Sequence, residues 1–70
     1  MKKWIKILNT LVIDFTVCEN EHLIIIDNYD YSFNVSRLVG ILDKQCKYKG
    51  YWQDRDIYTM RNNIEIHIIW

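Results

Sequence analysis

Apolar side chains occupy the odd positions from Ile5 to Val17, at 5, 7, 11, 13, 15 and 17, with Lys6, Thr10, Asp14 and Thr16 among the residues between them. A period of two marks a half-buried strand. The pattern therefore predicts one long, bent strand over 5–17, its parity unbroken through Asn9 and Thr10. Glu19, Asn20, Glu21 and His22 follow as a polar turn, and the apolar run from Leu23 to Asp27 predicts a second strand, antiparallel to the first.

The period then changes. Val35, Leu38, Val39, Leu42 and Cys46 trace a stripe at helical spacing. Asn34 suits the N-cap of that helix, because its side-chain oxygen can accept from an orphan amide of the first turn. Phe33 and Leu38 have the spacing of a hydrophobic staple. Lys44, Lys47 and Lys49 fall toward the C-terminal end, where cations favour the helix dipole, and Gly50 is a natural terminator. Gly40 lies mid-helix, a position that costs about 1 kcal/mol relative to Ala; close packing on a sheet would account for it.

The last third reads as a hairpin. The segments 57–60 and 64–68 flank Arg61, Asn62 and Asn63, and Asn tolerates the positive φ of a tight turn. A two-residue turn at Asn62-Asn63 and a three-residue bulged loop ending at Asn63 both fit, and the three-residue loop is preferred because it sets Met60 opposite Ile64 and Tyr58 opposite Ile66. The expected fold class is α+β: a small antiparallel sheet with one helix packed on one face, in ββαββ order, with one extra strand available from 48–55. One helix cannot cover a whole sheet, and Ile68, Ile69 and Trp70 end the last strand apolar on both faces. Some apolar surface is therefore expected to stay open, the usual mark of a partner or homodimer contact.

Composition narrows the class of function. The chain has 70 residues, 50% of them hydrophobic, so it forms one compact domain, 1–70, with a core feasible and disorder disfavoured. So small a core is hard to excavate into a deep cleft. There is no Ala or Pro, and Ile, Asn, Lys and Tyr are abundant, as in a low-GC bacterial, phage or plasmid genome. Lys6, Asn9 and Asp14 interrupt every apolar run near the start, which argues against a signal peptide or membrane helix and for a bacterial cytoplasm. Cys18 and Cys46 are then expected to be reduced, small apolar members of the core. No glycine-rich phosphate loop, nucleophile elbow, metal-ligand spacing or cofactor motif is present.

A formal charge of zero conceals a division. Residues 7–36 carry five acids and no Lys or Arg, whereas 37–61 carry six cations against three acids. The acidic half supplies a candidate partner-binding set, Glu19, Glu21, Asp27, Tyr29, Asp30 and Tyr31. Alternating carboxylates and phenols can imitate nucleic acid to a basic surface, and Tyr gives contact area at low entropic cost. The basic half supplies an alternative set, Lys44, Lys47, Tyr48, Lys49, Tyr51 and Trp52, in which cations could meet phosphates while bases stack on rings.

The leading expectation is a non-catalytic protein-binding module that occupies a basic nucleic-acid-binding surface of a protein or ribonucleoprotein complex. In size and general character it resembles the anti-CRISPR class, phage-encoded inhibitors of a host defence complex, which has no shared sequence signature. The alternatives are a small nucleic-acid-binding protein and a small ribonuclease toxin. The toxin reading requires His67, Tyr58, Arg55 and Arg61 to converge on one face of the terminal hairpin. A small-ligand pocket between protomers, or a homodimer through Ile68, Ile69 and Trp70, is compatible with this composition.

Overall fold

A computed structural model of the chain describes residues 1–27 and 33–70. The first element is a helix, α1 (Lys2–Thr10), not a strand. Met1, Trp4, Leu8 and Leu11 recur at helical spacing and pack into the core, with Ile7 beside them. The odd-position alternation over 5–17 is real but subordinate, because Trp4 lies outside its parity and anchors the helical stripe.

The end of α1 is a Schellman motif. Val12 N–H donates to the Asn9 carbonyl at 3.1 Å and Ile13 N–H to the Leu8 carbonyl at 3.0 Å. Val12 takes the left-handed conformation, φ 56°, at the position where Gly or Asn is usual. The chain then reverses into β1 (Thr16–Cys18), passes the short 3-10 turn Glu19–Glu21, and returns as β2 (Leu23–Asp27), antiparallel to β1 as expected.

The second helix, α2 (Phe33–Gln45), buries Val35, Leu38 and Leu42, with Val39 and Cys46 packed against the core: the stripe expected from the sequence. Its start differs. Phe33 already lies inside the helix and is exposed, so it does not staple onto buried Leu38, and Asn34 falls in the first turn, past the cap position. Its end differs too: Lys47, Lys49 and Gly50 belong to a strand, β3 (Lys47–Trp52), and Gly50 has no part in ending the helix. Gly40 is exposed, with nothing within 4 Å of where a Cβ would stand, so sheet packing does not explain it.

β3 turns into β4 (Arg55–Thr59) through Gln53 and Asp54, both left-handed, as a two-residue hairpin turn favours. β4 leads through Arg61–Asn63 into β5 (Glu65–Ile69). Tyr58 pairs with Ile66, Met60 N–H donates to Ile64 at 3.0 Å, and Asn62 and Asn63 both have positive φ, so this hairpin has the expected register and loop.

The five strands form one mixed sheet in the order β1-β2-β5-β4-β3. The class is α+β; among the described residues there are two helices where one was expected, and the element order is αββαβββ in place of ββαββ. β5 runs parallel to β2, the one parallel pair in a sheet otherwise antiparallel. Because β5 is flanked on both sides, the C-terminal strand offers no free edge to a second copy. Residues of both helices share a single core with Ile24, Ile26, Tyr58, Ile66 and Ile68, so both helices cover the same face of the sheet. Among the described residues no helix lies over the other face.

Candidate functional site: the helix-free face of the β3–β4 hairpin

The site begins with a β-bulge. β3 pairs with β4 through Lys47↔Thr59 and Tyr48↔Tyr58, slips at Lys49, and resumes with Gly50↔Ile57, Tyr51↔Asp56 and Trp52↔Arg55. Strict alternation would set Lys47 and Trp52 on opposite faces. The extra residue restores Trp52 to the face of Lys47, and Gly50 accommodates the distortion at φ 143°. Lys47, Lys49, Trp52 and Arg55 thereby gather on the helix-free face.

Polar side chains organise this surface. Lys49 Nζ donates to Glu65 Oε2 at 2.7 Å. His67, only 8% exposed, lies between Arg55 and Glu65, with Nδ1 3.1 Å from Arg55 Nη1 and Nε2 3.0 Å from Glu65 Oε1. A guanidinium can only donate, so Nδ1 accepts and the proton sits on Nε2, which donates to Glu65. The imidazole is thus held as the neutral Nε2–H tautomer. Hydrogen bonds from Lys49 and then from His67 hold the Glu65 carboxyl below its usual range. The Arg55 guanidinium also stands 6.0 Å from the Trp52 ring centroid. Trp52 itself is 57% exposed. Beside it an open hollow of about 430 Å³ is lined by Lys49, Gly50, Tyr51, Trp52, Ile57, Glu65 and His67.

The opposite side of the hairpin has different chemistry. Tyr48 packs edge-on against buried Tyr58, centroids 5.2 Å apart, and its hydroxyl donates to Asp56 Oδ1 at 2.6 Å. Trp70 Nε1–H donates to Asp56 Oδ2 at 2.7 Å, and the Tyr51 hydroxyl to Asp54 Oδ1 at 3.1 Å. The carboxylates raise the Tyr48 and Tyr51 phenols, the hydrogen bond to Asp56 and to Asp54 being the largest cause in each case. Tyr58 donates to Asp43 of α2 at 3.3 Å, and burial foremost, then Asp43, pushes its phenol up to about 12.

The sequence-derived sets fare differently. Of the basic set, Lys47, Lys49 and Trp52 share the helix-free face, Tyr48 and Tyr51 turn to the other side, and Lys44 stands apart on the outer surface of α2. Of the acidic set, Glu19 and Glu21 lie before β2 and Asp27 at its far end, a separation of about 13 Å along the strand. They do not form one patch. Tyr29, Asp30 and Tyr31 lie outside the described residues. The ribonuclease constellation does not converge: Arg55 and His67 meet on the helix-free face, Tyr58 is buried on the helix side, and Arg61 sits in the loop before β5. Arg55 and His67, expected together only in the ribonuclease set, do meet, and Glu65, which belongs to neither binding set, completes the site around His67. The signal that could have found them is the alternation shared by Arg55-Ile57 and Glu65-His67 in paired strands.

Cys18 and Cys46 are free and half-buried, and burial raises the Cys46 thiol. Among the described residues no three His, Cys, Asp or Glu side chains come together as a metal site. No helix among them is long and apolar enough to cross a membrane. The chain matches no family model, and no curated protein or solved structure matches it.

Proposed function

We propose that this protein is a small, non-catalytic nucleic-acid-binding module whose working surface is the helix-free face of the β3–β4 hairpin, and that its ligand is single-stranded. The observation that carries the reading is the bulge at Lys49-Gly50, which brings Trp52 onto the same face of the hairpin as Lys47, Lys49 and Arg55, a face that no helix among the described residues covers. An exposed ring offers a stacking platform for a base, and Lys47, together with Lys49 in its ion pair to Glu65, supplies positive charge for the phosphates on one side of it, toward the start of β3. Arg55 lies over the ring and adds charge without occupying the hollow.

The test is a fluorescence-anisotropy titration of a short labelled single strand at several salt concentrations. Trp52→Ala is expected to weaken binding by about 1–3 kcal/mol. Replacing Lys47 and Lys49 together by Ala should flatten the salt dependence, lowering the slope by about 1.4 for two lost phosphate contacts. A wild-type protein that binds neither single-stranded RNA nor DNA at low salt sinks the reading.

A second reading rests on a separate observation. Tyr48, Tyr51 and Trp70 cluster with Asp54 and Asp56 on the helix side of the same hairpin. This acidic, aromatic surface has the character expected of an inhibitor that docks on a basic protein or ribonucleoprotein surface, at a different place from 19–31. Charge reversal separates the two: Asp54→Lys with Asp56→Lys should abolish protein binding and leave nucleic-acid binding intact, whereas the Lys47 and Lys49 substitutions should weaken nucleic-acid binding alone.

A further inference from the structure

We infer that the hollow between Trp52 and Glu65 is a subsite for a single guanine base, read through its Watson–Crick edge by the Glu65 carboxylate. The inference rests on the single-strand reading above and deepens it. The hollow, about 430 Å³, is within the size of small-ligand pockets, and it pairs an exposed aromatic wall with a carboxylate. Ile57 and His67, both buried, close it from within.

The recognition argument is one of donors and acceptors. Glu65 Oε2 accepts from Lys49 and Oε1 from His67, one bond to each oxygen. An ionised carboxylate has about four acceptor positions, so about two remain, one on each oxygen. The side chain is 28% exposed, and it lines the hollow. Guanine presents two adjacent donors, the ring N1–H and the exocyclic N2 amine, at the spacing of two carboxylate oxygens. Adenine and cytosine present one amine beside an acceptor, and thymine and uracil one imide N–H flanked by two carbonyls. Those carbonyls and ring acceptors would face the carboxylate lone pairs.

Three features prepare the carboxylate for this role. The Lys49 and His67 hydrogen bonds fix its rotamer before a base arrives, which limits the ordering entropy of binding. They also keep it ionised below the usual carboxylate range, so it stays an acceptor at neutral pH. The Arg55 contact to Nδ1 commits His67 to donate from Nε2, so the imidazole supports the carboxylate and does not compete with it for the donors of the base.

The experiment compares a thymidine oligonucleotide containing one guanine with the same strand carrying hypoxanthine at that position, which lacks only the N2 amine. Both are titrated by anisotropy against the wild type and against Glu65→Gln, with guanosine monophosphate as a competitor. The wild type is expected to prefer guanine over hypoxanthine by about tenfold, as for one good bidentate contact. Glu65→Gln is expected to narrow that ratio to about two, since an amide cannot accept on both atoms. Competition by the free nucleotide at concentrations near those of the oligonucleotide would assign the hollow to a soluble guanine nucleotide and overturn the single-strand source. Equal wild-type affinity for the two strands overturns the inference and leaves the single-strand module standing. Failure to bind these strands and their RNA counterparts overturns both. The hypoxanthine comparison uses the unaltered protein, so it decides the matter even if Glu65→Gln does not fold.

Discussion

Val12 holds the left-handed conformation at φ 56° and is 82% exposed, so its side chain has almost no packing to lose. A β-branched residue there sits against the Cβ–carbonyl clash that makes this region costly, by roughly 1–2 kcal/mol. Asn tolerates the same conformation without the unfolded-state entropy of Gly. Val12→Asn is therefore expected to raise stability by about 1 kcal/mol, measured by urea denaturation, with no change in the slope of the transition. At Tyr58 the balance is opposite. Its hydroxyl is committed to Asp43 and its ring to Tyr48, so Tyr58→Phe should cost about 1 kcal/mol through the lost hydrogen bond alone.

The two glycines separate cleanly at the level of elements. In α2, Gly40 faces open space with ordinary helical φ, so Gly40→Ala is expected to stabilise the helix by about 1 kcal/mol. In β3, Gly50 also has open space for a Cβ but sits at φ 143°, where an L side chain is strained. Gly50→Ala should destabilise the hairpin and disturb the bulge on which the placement of Trp52 depends. Thermal denaturation of the two variants should move in opposite directions; a rise in both would show that Gly50 does not hold the bulge.

Across the whole molecule, stability should fall at both ends of the pH range for identifiable reasons. Glu65 titrates below its ordinary value when folded, so its contribution is full above the usual carboxylate range and is lost as pH falls through the folded value. The Tyr58 phenol moves the other way, from 10.0 to about 12, so its contribution is full below pH 10.0 and is lost as pH rises toward about 12. Denaturant midpoints measured across pH should show both limbs. Tyr58→Phe is expected to shrink the alkaline limb, to which the raised Tyr48 and Tyr51 phenols and the Cys46 thiol also contribute, and to leave the acid limb in place; Glu65→Gln should shrink the acid limb alone.

Much of this was legible in local pattern. The stripe from Val35 to Cys46 specified α2, and the loop Arg61-Asn62-Asn63 specified the last hairpin and its register, because helical periodicity and the positive-φ tolerance of Asn are properties of a few neighbouring residues. The N-terminal segment could be read both ways. Its odd positions suit a strand and Met1, Trp4, Leu8 and Leu11 suit a helix, and packing of Trp4 and Leu8 against the other core residues decided for the helix. The site shows the same division. Lys47, Lys49 and Trp52 were visible as a cationic and aromatic run, but their common face depends on a one-residue slip against β4, and their neighbours Glu65 and His67 arrive from a strand 16 or more residues away from Lys49. Alternation along a strand is set by covalent geometry and can be read from the sequence. A bulge, and which strand lies beside which, follow from pairing between distant segments, and only the tertiary structure decides them.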